Sequence, residues 1–137
     1  AYACEILKQA GAKRALILPV SVPSHCSLMK EAANEFKDSV DGIEIRMNDV
    51  KVIHNVDADF SNTISEIKTK LVEQLYSPVL WTSSVLKMKD SGVDKLIEAG
   101  PGKVLTGLTR RIDKSLNASA IIDVNSLKST IEELSNA

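Results

Sequence analysis

Lys95-Leu-Ile-Glu-Ala-Gly-Pro-Gly-Lys-Val-Leu-Thr-Gly-Leu108 is the stretch from which the fold of this chain can be read. Lys95 to Ala99 has strand character and runs into Gly100-Pro-Gly102, a turn that no regular element crosses unbroken. Val104, Leu105, Leu108 and Ile112 then recur at helical spacing, and Ala118 to Val124 returns as a second apolar strand. Strand, helix and strand in that order predict a parallel crossover, and with it an α/β fold. Leu127, Ile131 and Leu134 supply a further helix after it.

The alternation extends toward the amino end. Arg14 to Val22 is a short apolar run of the kind buried on both faces of a sheet, with Pro19 and Pro23 limiting its inner length. Leu28, Ala32, Phe36 and Val40 recur every fourth residue and predict a helix over Ser27 to Val40 with one buried stripe. Ile43 to Ile45 is a short extended piece, and Lys51 to Asn55 reads as another strand. Thr63-Ile-Ser-Glu66 has the form of a capping box opening a helix through Ile64, Ile67, Leu71 and Leu75. Pro78 begins the next element, in which Trp81, Val85 and Met88 share a face until Gly92 ends it. The chain opens on Ala1 inside a helical pattern of Ala3, Ile6, Leu7 and Ala10 that Gly11 closes, so an incomplete domain is expected.

Composition narrows the function classes. The 137 residues are 44% hydrophobic, enough for one core, and 17 basic against 18 acidic side chains leave a net charge of -1. That balance gives no reason to expect nucleic acid or an anionic membrane as partner. Apolar runs such as Ala15 to Pro19 fall far short of the ~20 residues a bilayer span needs, and no signal-peptide pattern opens the chain, so a cytoplasmic setting is expected. Cys4 and Cys26 are too few and too ill-spaced for a disulfide framework or a zinc site, and both read as reduced.

In an open α/β sheet, functional groups gather beyond the carboxyl ends of the strands, which places Ser24-His25, Asn55-Val-Asp57 and Gly100-Pro-Gly-Lys103 on one rim. His25 lies in the loop between an apolar strand and an amphipathic helix, a common setting for a catalytic imidazole. No Gly-x-Ser-x-Gly elbow is present, so the histidine has no evident serine to activate. His54 sits within an apolar strand pattern and reads as structural. Cys26 adjoins His25, but neighbouring side chains point apart, and packing is the plainer role. Asp57 reads as a turn former and Asn55 as pocket lining. Gly100-Pro-Gly-Lys103 lacks the spacing of a phosphate loop and reads as a tight strand-to-helix turn.

Four segments together carry a resemblance: Val20-Ser-Val-Pro-Ser-His25-Cys-Ser-Leu-Met29, Asn55-Val-Asp57, Gln74-Leu-Tyr-Ser-Pro-Val79 with Trp81, and Glu98-Ala-Gly-Pro-Gly-Lys-Val-Leu-Thr-Gly-Leu108. In order and over nearly the whole chain, they resemble the carboxy-terminal half of the malonyl-CoA:acyl-carrier-protein transacylases of bacterial fatty acid synthesis. The family's serine elbow, substrate-carboxylate arginine and oxyanion-hole glutamine belong to an amino-terminal half with no counterpart in this sequence. The resemblance implies a parallel-sheet, hydrolase-like core portion preceded by the last helix and strand of a ferredoxin-like subdomain. Residues 1–20 would close that subdomain and residues 21–137 would form the carboxy-terminal part of the core.

It also implies roles. Malonyl passes from a coenzyme A thioester to a serine and on to a phosphopantetheine thiol, two acyl transfers that use one base twice, and His25 is the candidate. The family's triad has a backbone carbonyl as third member, here that of Gln74. Ser24 would border the acyl pocket. Lys13-Arg14 and Arg110-Arg111 are docking candidates for an acidic acyl carrier protein. No metal or redox cofactor is called for, and the missing amino-terminal half would be a partner. The competing reading is a non-catalytic α/β binding or scaffold module derived from an acyltransferase; an acyltransferase domain of a modular polyketide synthase ranks below it.

Overall fold

The computed structural model describes residues 2–136. Its centre is the predicted crossover. Strand β1, Lys95–Ala99, pairs in parallel with β2, Asn117–Ile121, in the register Lys95 to Asn117 through Ala99 to Ile121. Helix α5, Val104–Ile112, makes the connection and packs on both strands. Helix α6, Val124–Ser135, lies against β2, and α4, Trp81–Asp90, against α5. A second group pairs α2, Lys30–Asp41, with α3, Ile64–Glu73. Helix α1, Tyr2–Gln9, buries none of its residues.

Strand β2 ends at Ile121, short of Val124, because Asp123 caps α6 and Val124 opens that helix: Asp123 Oδ1 accepts from the Ser126 amide at 2.8 Å. The capping box at α3 forms as its sequence predicts. Thr63 Oγ1 accepts from the Glu66 amide at 3.2 Å, and Glu66 Oε2 accepts from the amides of Thr63 and Asn62 at 3.3 and 2.7 Å. This fixes where α3 starts, and the helix runs from there to its C-cap at Gln74.

Two expected strands, and the short extended piece at Ile43 to Ile45, form no strand among the described residues. Arg14 to Val22 is irregular and exposed, Ile17 at 71%, because no neighbouring strand lies beside it to take its amide and carbonyl groups. Lys51 to Asn55 contributes only an antiparallel bridge from Ile53 to Phe60, and Ile43 to Ile45 pairs with nothing described. The helical stripes also depart from the sequence pattern. Residues Ser27–Met29 form a 3₁₀ turn before α2, which leaves Leu28 outside the helix and exposed, and within α2 the buried residues are Ala33 and Val40. On α5 the buried residues are Thr106 and Thr109, and Val104 is 68% exposed. On α6 Thr130 is buried, whereas Leu127, Ile131 and Leu134 are about half exposed. On α5, Thr106 meets β2 at Ser119 O, while the apolar side chains of both helices stay partly exposed.

Candidate active site

Where α3 ends, its last four carbonyls have no partner within the helix. The Gln74 amide still closes the final turn onto Lys70 O at 3.0 Å, but the carbonyls of Gln74 and Leu75 point beyond it. The loop carrying His25 meets both. Its backbone amide donates to Leu75 O at 2.9 Å, and ring Nδ1 lies 2.8 Å from Gln74 O. His25 reaches them by adopting φ 63°, a left-handed conformation that side-chain-bearing residues take rarely and only when neighbouring bonds hold it.

A carbonyl oxygen only accepts, so Nδ1 must carry the hydrogen of this bond in the neutral ring. Nε2 then keeps the lone pair, the tautomer a general base requires. The ring is exposed, and Ser24 beside it is exposed as well. Cys26 Sγ is engaged elsewhere, donating to Pro23 O at 3.1 Å.

The next loop, residues 54–60, folds on itself. The Ala58 amide donates to His54 O at 2.9 Å, the His54 amide to Asp59 O at 3.2 Å, and the Asp59 amide to Asp57 Oδ1 at 3.2 Å. Asp57 thus makes the side-chain turn read from sequence. Its other oxygen, Oδ2, takes Lys70 Nζ from α3 at 2.8 Å, and Lys70 also donates to Phe60 O at 3.0 Å. Asn55 O accepts from the Leu80 amide at 2.8 Å, tying this loop to the approach to α4. Asn55 Oδ1 and Trp81 Nε1 are both buried with no hydrogen-bond partner among the described residues. They line one groove of about 560 Å³ with Ile53, Phe60, Leu96 and Ile97; no residue of β2 borders it, which sets it along the unpaired edge of β1.

His54 is 6% exposed, in keeping with a structural residue. Burial, then the Lys70 charge, hold its pKa below the ordinary histidine value, with Asp57 opposing them. Above about pH 6.5 neither folded nor unfolded chain protonates this ring. Below it the unfolded chain takes up a proton that the folded one resists, so stability falls by at most about 1.4 kcal/mol per pH unit. Urea unfolding at about pH 5 and about pH 7 should therefore show a smaller difference for His54→Gln than for the parent chain.

Gly100-Pro-Gly-Lys103 leads into α5, whose first amides are already taken from within. Glu98 on β1 accepts from the amides of Thr106 at 2.8 Å and Leu105 at 3.2 Å, and Thr106 Oγ1 lies 2.8 Å from it. The Thr106 amide, before the other bonds, holds the Glu98 carboxyl below its ordinary range. The turn is a strand-to-helix joint whose anion is a side chain. Sequence reasoning passed over Glu98, although an acid placed just before a helix start is the signal for this arrangement. In the sequence Lys70 gives no signal beyond its place in a helix.

Of the basic candidates, Lys13, Arg14 and Arg111 are exposed, while Arg110 Nη2 donates to Ala118 O of β2 at 2.9 Å. One arm of Arg110 is therefore spent on the fold. Among the described residues, no group of three or more histidine, cysteine, aspartate or glutamate side chains could hold a metal ion, and no helix is long and apolar enough to cross a membrane.

A malonyl CoA-acyl carrier protein transacylase from Haemophilus influenzae is 50% identical over 132 residues, 96% of this chain and 42% of that protein. The crystal structure of an acyl carrier protein S-malonyltransferase from Vibrio cholerae superposes with a TM-score of 0.83 at 53% identity, covering 93% of this chain and 42% of the other. The chain is a homologue of the malonyl CoA-acyl carrier protein transacylases. A further transacylase structure, solved in complex with a type II PKS acyl-carrier protein, gives a TM-score of 0.87 at 47% identity over 96% of this chain and 42% of its own. No protein-family model matches the chain. It spans about 42% of the length of these transacylases, and its small parallel sheet with flanking helices is an α/β arrangement like theirs.

Proposed function

We propose that this chain supplies the general base of a malonyl transacylase, transferring malonyl from coenzyme A to the phosphopantetheine thiol of acyl carrier protein through a serine that the chain itself does not carry. The observation that bears most of this reading is the 2.8 Å approach of His25 Nδ1 to Gln74 O. With Nδ1 protonated, Nε2 takes the hydroxyl hydrogen as the serine oxygen attacks the thioester carbonyl. Collapse of the tetrahedral intermediate breaks the carbon–sulfur bond, and the departing thiolate leaves with the proton from Nε2. The second transfer runs in reverse: the phosphopantetheine thiol gives its hydrogen to Nε2, its sulfur attacks the serine ester, and the serine oxygen departs with that hydrogen. Within each transfer, while Nε2 holds the hydrogen, the ring is a cation at the end of α3, where the last carbonyls carry partial negative charge. Proton transfer alone meets the needs of both steps, so the reading includes no metal or redox cofactor, and it places the protein in the cytoplasm.

The serine would come from polypeptide corresponding to the part of its relatives that this chain does not span, with residues 1–20 belonging to a small subdomain that polypeptide completes. Three features favour such a partner: the unpaired edge of β1 beside buried, unpartnered Asn55 Oδ1 and Trp81 Nε1; the apolar run of Leu16, Ile17 and Leu18 standing in solvent; and the partly exposed leucines of α5 and α6. Ser24 and Asn55 would line the acyl pocket beside His25. The test is complementation. This chain mixed with the remaining polypeptide of a relative should form a malonyl-enzyme from labelled malonyl-CoA, and neither part should do so alone. Restoration of loading that ignored His25 would favour a scaffold module instead.

Lys13, Arg14, Arg110 and Arg111 would guide the acidic carrier protein. Because Arg110 is partly committed to β2, Arg111→Glu is the cleaner probe. Transfer to carrier protein should slow by about tenfold and depend less on added salt than the parent's, with loading from malonyl-CoA unchanged. Equal loss in both half-reactions would remove Arg111 from the docking surface.

A further inference from the structure

The 54–60 loop touches the His25 site only indirectly, yet one side chain fastens it there. Lys70 is 13% exposed at its side chain and stands on α3 one turn before Gln74, whose amide donates to the Lys70 carbonyl at 3.0 Å. From that turn its ammonium reaches Asp57 Oδ2 at 2.8 Å and Phe60 O at 3.0 Å. The main chain of one residue thus supports the carbonyl that His25 uses, while its side chain grips the loop carrying Asn55.

We infer that Lys70 is a positioning residue that sets the separation between Asn55 and the His25–Gln74 pair, acting on acyl-substrate binding through Asn55. The inference rests on the acyl-transfer reading above, in which Asn55 lines the pocket. The geometry supports it in three ways. The ammonium is nearly enclosed and bonded to a carboxylate and a main-chain oxygen, the kind of pair whose breakage leaves an uncompensated charge. The loop's other side-chain tie, Lys87 to Asp59 at 2.8 Å, goes to α4 and not to α3. Asn55 O accepts from Leu80, so movement at Asp57 is passed to the start of α4 as well.

Two variants of the complemented enzyme test this, with active sites counted by the malonyl burst so that unfolded material drops out. Lys70→Met should raise KM for malonyl-CoA by about tenfold, the scale expected of a sub-ångström misplacement, while the pH dependence of kcat stays that of the parent. Asp57→Asn keeps the turn acceptor for the Asp59 amide and removes the charge partner, so it should move KM the same way by less. It decides the matter if Lys70→Met fails to fold. Lys70→Arg, which retains charge and reach, should recover most of the parent KM. An unchanged KM per active site in Asp57→Asn and in any folded Lys70→Met overturns the inference. If the parent gives no burst, the acyl-transfer reading has failed, and hydrogen exchange in this chain still judges the positioning claim: the Leu80 amide should exchange at least tenfold faster in Asp57→Asn, and an unaltered rate rejects it.

Discussion

His25→Ala should lower malonyl loading of the complemented enzyme by about 10²- to 10⁴-fold, the range that a positioned general base contributes. The loss should fall on kcat, because the ring is needed when the hydroxyl hydrogen moves and contributes little to holding the thioester. Gln74→Ala is the informative companion. Its side chain is not the hydrogen-bond acceptor; the 2.8 Å bond goes to the main-chain oxygen, which substitution leaves in place. Loading should therefore stay within a few-fold of the parent, whereas a triad resting on a side-chain acid loses ~10⁴-fold in kcat when that acid is replaced. A large loss in Gln74→Ala would mean that the carbonyl is not what holds the ring. Burst amplitude and single-turnover rate, measured together, separate these outcomes from simple unfolding.

The crossover of β1, α5 and β2 was legible in the sequence because everything it needs lies within one short stretch: an apolar strand, a turn that must break it, a helical period and a second strand. The capping box at Thr63 and Glu66 was legible for the same reason, and it carries the reading further than its size suggests. It marks the start of α3, the helix whose far end carries the Gln74 carbonyl to His25. What stayed hidden depends on partners distant in sequence. Arg14 to Val22 has the composition of a buried strand, but a strand is defined by its neighbour, and none lies beside it among the described residues. The apolar stripes of α5 and α6 are real as patterns, yet Thr106, Thr109 and Thr130 are the residues pressed inward. Periodicity reports that a face is apolar and leaves open which surface covers it. Lys70 and Glu98 escaped notice because a lysine within a helix and a glutamate within a strand read as solvated by default; only tertiary geometry reveals what they hold.

At Glu98 one carboxylate joins β1 to the helix that follows it. It accepts from the Leu105 and Thr106 amides and from the Thr106 hydroxyl, whose single hydrogen can serve either Glu98 or the carbonyl of Ser119, 3.2 Å away, at one time. Removing the carboxylate leaves two amides in the first turn of α5 without their acceptor, and the hydroxyl can turn to Ser119 but the amides cannot. In Glu98→Ala, the Leu105 and Thr106 amides should exchange with solvent roughly ten- to a hundredfold faster than in the parent, as expected when charge-assisted bonds are lost. Amides of α3 should be unaffected. Glu98→Gln retains an acceptor oxygen without the charge that complements the helix start, so it should fall between the two. The pH dependence follows with a definite sign: the folded carboxyl lies below its ordinary value, so its contribution is complete above the unfolded glutamate range near pH 4.3 and is lost as pH falls through the lower folded value. Protection of these two amides that persisted unchanged in Glu98→Ala would show that α5 is held by packing on β1 and β2 alone.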